Sequence, residues 1–342
     1  MTREEPRLLL TTSPFLKHGD DTAFLMWQVN YALVPVLAVA TWFFGLSALL
    51  IAVACTAGAV LPEWLQHRGR SLRDGSAVIT GVLLALTLPP STPLWMAFVG
   101  GFVAVALGKL IFGGIGSNIF NPALVGRAFL QAAFPAAMTT WAQPVQPGDL
   151  LTVRGELLAI PFLKPGVDTV TQATPLAQLK FDGLVADAGD LLLGTTAGSL
   201  GETGSLVILL CGVYLGLRRV LNWRIPISIL GTVATIAAVS HLIDPARFAP
   251  PLFHLFSGGL MLGAVFMATD PVSSPITQRG CWIFGIGIGA LVMLIRLFGG
   301  LPEGVMYAIL LMNAATPVIN RTTQARIYGT GRRARRVAAA DG

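Results

Sequence analysis

The chain has 342 residues, of which 54% are hydrophobic and only 12% are charged, and its mean hydropathy is +0.71. Soluble domains carry about 25% charged residues, so this composition argues against a soluble protein and is typical of a membrane protein. The formal net charge is +6. The basic residues flank apolar stretches, where Lys and Arg mark the cytoplasmic side of a membrane, so we do not expect a nucleic-acid-binding protein.

Ten apolar stretches follow one another along the chain and predict an all-α polytopic membrane protein. Residues 22–62 contain no charged side chain, and this length accommodates two spans of about 20 residues each. Residues 75–139 carry only Lys109 and Arg127 as charged groups. The stretches lie at about 25–44, 46–61, 76–89, 94–112, 122–139, 204–218, 225–243, 252–269, 281–298 and 303–319.

A polar segment, residues 140–203, separates a first membrane half at 22–139 from a second half at 204–320. It holds three basic and seven acidic residues, a net charge of −4. The N-terminal residues 1–21 do not have the short apolar core of a cleavable signal peptide, so we expect the first span to direct insertion. We expect both termini to be cytoplasmic. The basic loops and the basic tail 321–342 then lie in the cytoplasm, and the acidic segment lies on the extracytoplasmic side of the membrane.

The two halves contain a short internal repeat. Residues 81–93 align without gaps to residues 263–275, with five of thirteen positions identical. Because each half has an odd number of predicted spans, the two copies would be inverted relative to one another, as in many transporters with a site at the repeat interface. The expected architecture is therefore two inverted five-helix repeats joined by an extracytoplasmic loop. Chance similarity between two apolar runs is the alternative.

The cysteines and histidines do not predict a metal site. Cys55, Cys211 and Cys281 are far apart, lie in or at the edge of apolar stretches, and form no C-x-x-C pair. Ligation of zinc or an iron–sulfur cluster by this chain alone is therefore not expected. Buried small side chains are the simpler interpretation, and a cluster shared with a partner is the alternative.

The polar segment contains a hydroxyl-rich stretch in which Thr174 is followed by Pro175. The proline favours an extended backbone at Thr174. A threonine hydroxyl is a weak nucleophile, but it can accept an esterified group from a modifying enzyme that recognises Thr171, Lys180 and their neighbours. The residues alone leave both an acceptor and an ordinary loop threonine open.

The stretch Thr-Gln-Ala-Thr-Pro-Leu at 171–176 resembles the flavinylation motif of the RnfD/NqrB family, membrane subunits of the Rnf and sodium-pumping quinone reductase complexes. The resemblance extends over nearly the whole chain and is closer to the RnfD branch. Thr171 stands where Ser is usual, and Gln172 where Gly is usual. The other matching motifs are Ser-Asn-Ile-Phe-Asn-Pro-Ala at 117–123, Ala-Thr-Asp-Pro-Val-Ser at 268–273 and the stretch from Glu303 to Asn313.

The resemblance implies that Thr174 carries FMN through a phosphoester bond, attached by a flavin transferase. It also implies a second, non-covalent flavin in the membrane part, for which riboflavin is a candidate. The implied partners are the other subunits of an Rnf complex, including iron–sulfur, NADH-binding and second flavin-bearing subunits. The implied location is the bacterial inner membrane, with the flavin loop in the periplasm.

Three further polar residues are candidates for function. Asn118 and Asn121 lie between a glycine-rich stretch and the helix that Pro122 begins. Their amides could hold a flavin ring or an ion at a broken helix, or cap that helix. Asp270 follows an apolar span, where an acid is costly unless it lies on an ion path or caps a backbone end.

The expected function is that of an Rnf-type membrane subunit that carries electrons through FMN on Thr174 and couples electron transfer to Na⁺ or H⁺ movement. The cofactor supplies the redox chemistry and the protein positions it. The alternative is a solute channel or permease with a fold similar to that of urea transporters. An inverted repeat supports both functions equally, and only the flavinylation-like stretch distinguishes them.

Overall fold

The computed structural model describes residues 21–67, 74–144, 150–151, 153, 155–159, 173–245, 247–300 and 303–324. Its regular structure is helical, and these ranges contain no β-strand. The helices are α1 Thr22–Phe44, α2 Leu46–His67, α3 Ser76–Thr87, α4 Leu94–Val105, α5 Pro122–Ala133, α6 Pro135–Met138, α7 Pro175–Ala177, α8 Ala188–Leu193, α9 Ser205–Leu217, α10 Arg224–Ile243, α11 Pro251–Phe256, α12 Leu260–Leu262, α13 Gln278–Phe298 and α14 Val305–Thr323.

Four of the helices, α1, α2, α10 and α13, are long and apolar enough to cross a membrane. The shorter apolar helices are α3, α4 with its continuation to Leu110, and α9. Each of the ten predicted apolar stretches forms helix. Two of them are broken, because Phe134 separates α5 from α6 and a turn with Gly258 at φ +67° separates α11 from α12.

Three of the short helices change pitch at their ends. α4 continues as a π-helical turn over Ala106–Leu110, α7 over Gln178–Asp182 and α12 over Gly263–Met267. Such turns are common at functional sites, because the wider turn redirects the side chains that follow it. The π-helical turn at the end of α4 precedes the polar loop that contains Asn118, and the one at the end of α12 precedes the polar loop that contains Asp270.

Glycines allow the long helices to approach closely. A Cβ atom at Gly101 of α4 would overlap the carbonyl oxygen of Cys55 in α2, and one at Gly285 of α13 would overlap the hydroxyl of Ser228 in α10. Contacts through small residues are the usual way in which helices associate in lipid, where burial of apolar groups gives no net gain. The two contacts thus fix α2 on α4 and α10 on α13.

A short segment before α9 joins the two halves of the chain. The amides of Leu200 and Gly201 donate to the carbonyls of Leu88 and Leu86, at 3.1 and 2.6 Å. A Cβ at Gly201 would also come within 2.8 Å of Leu262 in α12. The segment is therefore held between the ends of α3 and α12, and this position brings Glu202 into the interior.

Candidate functional site

Thr174 lies at the start of α7, in the part of the polar segment that the structure describes. Its side chain is 1% exposed, and its hydroxyl accepts a hydrogen bond from the amide of Ala177 at 3.3 Å. The backbone is extended, with φ −65° and ψ 156°, as Pro175 favours. Thr171 lies outside the described residues.

A small apolar cluster fixes the Thr174 segment on the second membrane half. Leu176 packs with Leu191 of α8, with Phe253 of α11 and with Ala249, which precedes α11. Lys180 donates a hydrogen bond to the carbonyl of Gly299, just after α13. The segment that the sequence presents as a loop is thus a docked element.

A buried arginine lies under this docked segment. Arg296 of α13 donates to the carbonyls of His254 and Ser257 at 2.5 and 2.8 Å. Its Nε, the Nδ1 of His254 and the Oγ of Ser257 are buried and have no hydrogen-bond partner among the described residues. A Cβ at Gly258 would contact both Leu176 and Arg296, so Arg296 lies close to the Thr174 segment. The unpaired polar atoms of Arg296, His254 and Ser257 are able to hold a phosphate near that segment.

The structure brings Asn118, Asn121 and Asp270 together. All three line one cavity of about 120 Å³ between the two halves, which we call the inner cavity. The Asn121 side chain caps α5, accepting from the amide of Ala123 at 3.0 Å, and donates to the carbonyl of Met267 at 3.0 Å. The capping role predicted as an alternative for Asn121 is therefore present, and Asn121 also joins the halves.

Asp270 is held by hydrogen bonds within its own turn. It accepts from the hydroxyl of Ser273 at 2.8 Å and from the amide of Val272 at 3.3 Å, and the Asn118 amide bonds to it as well. Its carboxylate thus caps the turn after the π-helical end of α12 while it faces the cavity. Both interpretations of Asp270, a backbone cap and a group on an ion path, are compatible with this geometry.

A buried ion pair beside the inner cavity was not anticipated from the sequence. The Lys109 ammonium donates to the carboxylate of Glu63 at 2.5 Å and to the hydroxyl of Ser76 at 2.6 Å. The side chains of Lys109 and Glu63 are 5% and 1% exposed. Glu63 and Lys109 are 46 residues apart, and no short motif links them.

A second cavity, of about 110 Å³, is lined by residues of α5 and α14 together with the segment before α9, and we call it the outer cavity. Arg127, Glu202 and Glu303 line it. The Arg127 guanidinium donates to the carbonyl of Thr87 and lies 3.9 Å from the Glu303 carboxylate. Arg127 is therefore paired within the protein. The sequence did not indicate Glu202 as a site residue, because it is a single acid outside any motif, and Glu303 was noted only as the first residue of a stretch that resembles the family.

The Thr174 segment and the inner cavity are separate sites. Thr174 lines neither cavity, and the residues that pack on Leu176 belong to α8 and α11, whereas the inner cavity is bounded by α1, α3, α5 and the turn after α12. The cysteines belong to neither site: Cys55, Cys211 and Cys281 are buried and free, as expected of small apolar side chains.

Comparison with known proteins identifies relatives over almost the whole chain. Residues 9–329 match the NQR2, RnfD, RnfE family. The chain is 40% identical to the D subunit of the proton-translocating ferredoxin:NAD(+) oxidoreductase complex of Clostridium ljungdahlii, over 94% of this chain and 96% of that protein. It is 43% identical to the D subunit of the Na(+)-translocating ferredoxin:NAD(+) oxidoreductase complex of Acetobacterium woodii, over 95% and 96% of the two chains.

A third relative has a more general name. The D subunit of the ion-translocating oxidoreductase complex of Stutzerimonas stutzeri is 43% identical, over 92% of this chain and 94% of that protein. The relative named as proton-translocating and the relative named as Na(+)-translocating thus have nearly the same sequence identity to this chain. Overall similarity therefore does not distinguish the two ions.

Proposed function

Since the chain belongs to the NQR2, RnfD, RnfE family, we propose that it is the D-type membrane subunit of an ion-translocating oxidoreductase complex of the Rnf type. The observation that carries this proposal is the similarity to the D subunits of three such complexes over more than nine-tenths of the chain. In this function electrons pass through the protein while Na⁺ or H⁺ crosses the membrane. Moving one charge against 100 mV costs about 2.3 kcal/mol.

The architecture that we propose for the membrane part is two inverted repeats of five helices. Their packing supports it: α2 packs on α4 and α4 on α5 in the first half, while α10 packs on α13 and α13 on α14 in the second. We place the protein in the bacterial inner membrane with both termini in the cytoplasm. The Thr174 segment then lies in the periplasm, in agreement with the acidic character of the loop.

We propose that Thr174 carries covalent FMN, with Thr171 and Lys180 as supporting residues. The fit rests on the Thr174 hydroxyl, which accepts one long hydrogen bond, and on the polar atoms of Arg296, His254 and Ser257 that lack partners among the described residues. Bound FMN would supply one- and two-electron exchange. Because Thr174 is 1% exposed, a flavin transferase needs the segment to be undocked when it acts.

The test is flavin fluorescence of the chain after denaturing electrophoresis. Protein from a host with an active flavin transferase should give a fluorescent band, and the peptide that contains Thr174 should have the added mass of FMN. Thr174→Ala should abolish the fluorescence, whereas the control Thr195→Ala, in an exposed position of the same segment, should retain it. A band that stays bright in Thr174→Ala would mean that another residue is the acceptor.

The inner cavity is the site that we propose for the second, non-covalent flavin, with riboflavin as the candidate. Asn118 and Asn121 present amides there, and the remaining walls are mostly apolar, a combination typical of cofactor sites. Asp270 lies at the same cavity and is our candidate for the ion path. Replacing Asn118 with Leu should lower the acid-extractable flavin per complex without affecting the covalent band.

The names of the relatives support the proposed partners. Two relatives are the D subunits of ferredoxin:NAD(+) oxidoreductase complexes, which contain other subunits as well. We propose that iron–sulfur chemistry, NADH binding and the second covalently bound flavin belong to such partner subunits. A solute channel with a urea-transporter-like fold would explain an inverted repeat, but it would not explain the full-length similarity to these three relatives.

A further inference from the structure

The docked segment that carries Thr174 lies next to the outer cavity. Leu176, two residues after Thr174, packs so closely on the chain at Gly258 that a Cβ there would come within 2.7 Å of its side chain. Gly259, the next residue along the chain, lines the outer cavity. Because neighbouring residues have Cα atoms about 3.8 Å apart, little more than this stretch of backbone separates the segment from the cavity.

The other end of the docked segment, residues 174–180, leads to the same cavity. Lys180 donates a hydrogen bond to the carbonyl of Gly299. Glu303, four residues further along the chain, lines the cavity and directly precedes the start of α14. Both ends of the segment are thus bound to backbone that continues into the cavity wall, so a group attached to Thr174 has a cavity beside its point of attachment.

Hydrogen-bond donors and an unused acceptor lie together in the outer cavity. Arg127 is 6% exposed, and its guanidinium donates to the carbonyl of Thr87 and lies 3.9 Å from the Glu303 carboxylate. A guanidinium has five N–H groups, so Arg127 retains donors for a ligand. Glu303 Oε1 is buried and accepts no hydrogen bond from any donor in the described part of the chain.

The remaining walls of the outer cavity suit a flat aromatic ring. Trp141 and Tyr307 contribute aromatic rings, and Met138 contributes a thioether, which also packs well on aromatic groups. Tyr307 is 39% exposed, and Thr139 beside it in the lining is exposed as well. The cavity is therefore open at one side, and with a volume of about 110 Å³ it takes one edge of a large ring.

We propose that the outer cavity receives the pyrimidine edge of the isoalloxazine ring of the FMN on Thr174, with Arg127 and Glu303 binding this edge and Trp141 as an aromatic wall. The pyrimidine edge of a flavin alternates two carbonyls with one N–H group. Arg127 donates to the carbonyls, and Glu303 Oε1 accepts from the N–H. A quinone also has carbonyls, but it has no N–H for Glu303 to bind. The ring site rests on the proposed attachment of FMN to Thr174.

Arg127 also places a fixed positive charge at this edge of the ring. Its guanidinium is held by the carbonyl of Thr87 and lies 4.0 Å from the sulfur of Met138. The negative charge of a reduced flavin is concentrated at the pyrimidine end, so a preorganised cation there favours reduction. Arg127 therefore tunes the cofactor, while Glu303 orients it and offsets part of the charge.

The outer cavity adjoins the inner cavity, which is the site proposed for the second flavin. Met267 lines the outer cavity, and its carbonyl accepts the 3.0 Å hydrogen bond from the Asn121 side chain. Asn121 lines the inner cavity. The two cavities are thus linked across a single hydrogen bond, and the two flavins of this chain would be neighbours.

Cysteine labelling tests where the ring lies, in the full chain purified in detergent from a host with an active flavin transferase. Thr139→Cys places a thiol at the exposed rim of the outer cavity, and the native cysteines are buried. A hydrophilic maleimide should label it about tenfold more slowly when Thr174 carries FMN than in the Thr174→Ala background, because the ring covers the rim. Thr195→Cys, an exposed position of the same polar segment, is the matched control and should be labelled equally in both.

Flavin emission reports contact with Trp141. An indole ring in contact with a flavin quenches its fluorescence, so Trp141→Leu should raise the emission of the native chain several-fold. The emission is divided by the fluorescence of the denatured band, which measures how much flavin is attached. Trp223→Leu, at a 49% exposed position just before α10, is the control and should leave the ratio unchanged.

The reduction potential of the attached flavin tests the charged pair. Arg127→Gln should make one-electron reduction about tenfold less favourable, which corresponds to 59 mV. Glu303→Gln keeps an acceptor and removes a negative charge, so it should shift the potential in the opposite direction. Arg218→Gln, an exposed position after α9, should have no effect. A merely structural role of the pair would not give shifts of opposite sign.

The outcomes separate the ring site from the covalent flavin. Equal labelling of Thr139→Cys with and without FMN, whether fast or slow in both backgrounds, would overturn the ring site, as would unchanged emission in Trp141→Leu. The gel fluorescence is measured in the same samples. A bright band with these results refutes the ring site alone, whereas a dark band refutes FMN on Thr174 and the ring site with it.

Discussion

At the scale of single residues, the interior of this protein differs from a purely apolar membrane core because it contains buried charged side chains. Lys109 and Glu63 are almost completely buried, and their contact is a charge-assisted hydrogen bond of 2.5 Å. Such a pair contributes little net stability when both partners are present, because desolvation offsets the attraction. Removing one partner leaves an uncompensated charge.

We predict that Lys109→Met destabilises the protein by about 3–5 kcal/mol, because Glu63 would remain charged without its counterion. Thermal unfolding of the detergent-solubilised protein measures the effect. The double variant Lys109→Met with Glu63→Gln should recover much of the loss, and the exposed Arg321→Met should have little effect. Equal losses in the single and double variants would show that the two side chains do not act as a pair.

At the scale of the elements, close contacts between helices hold the membrane part together. Gly101 of α4 leaves no space for a side chain against the backbone of α2, because a Cβ there would meet backbone atoms of Cys55 and Ala59. By contrast, a Cβ at Gly231 of α10 would have no neighbour within 4 Å. The two glycines therefore have different physical roles in helices of similar composition.

Gly101→Ala should push α4 away from α2 and destabilise the protein by about 1–3 kcal/mol. Gly231→Ala, at an open helical position, should be neutral or stabilise it by at most about 1 kcal/mol, through helix propensity. The midpoints of thermal unfolding of both variants in the same detergent provide the comparison. If Gly101→Ala unfolds at the temperature of the unchanged protein, the close approach of α2 and α4 is not required.

Orientation in the membrane is a property of the whole molecule, and the native cysteines make it measurable. Cys55, Cys211 and Cys281 are all buried, so they should react slowly with a hydrophilic maleimide. We predict that Asp190→Cys, in the exposed part of α8, is labelled in intact cells once the outer membrane is permeable. Arg218→Cys, after α9, should be labelled only when the inner membrane is opened. The reverse pattern would contradict the proposed topology.

Much of the helical organisation could be predicted from the sequence, because apolar stretches without charges have few alternatives to helix in a membrane. All ten stretches contain helix, and the boundaries of α1, α10 and α13 differ from prediction by at most three residues. The break between α11 and α12 was missed, since nothing local marks Gly258 as left-handed. Asn118, Asn121 and Asp270 were identified as polar groups at helix ends, where the chain composition changes.

The sequence by itself determined the membrane class, the positions of the helical stretches and the family, because these depend on composition, on local order and on motifs that are contiguous in the chain. Only the tertiary structure decided which charges lie next to one another. Glu63 meets Lys109, and Glu202 meets Arg127 and Glu303, because helices distant in the chain pack together. The physical reason is that the energy of a charge in a low-dielectric interior depends on its neighbours in space, and these neighbours are far from it in sequence.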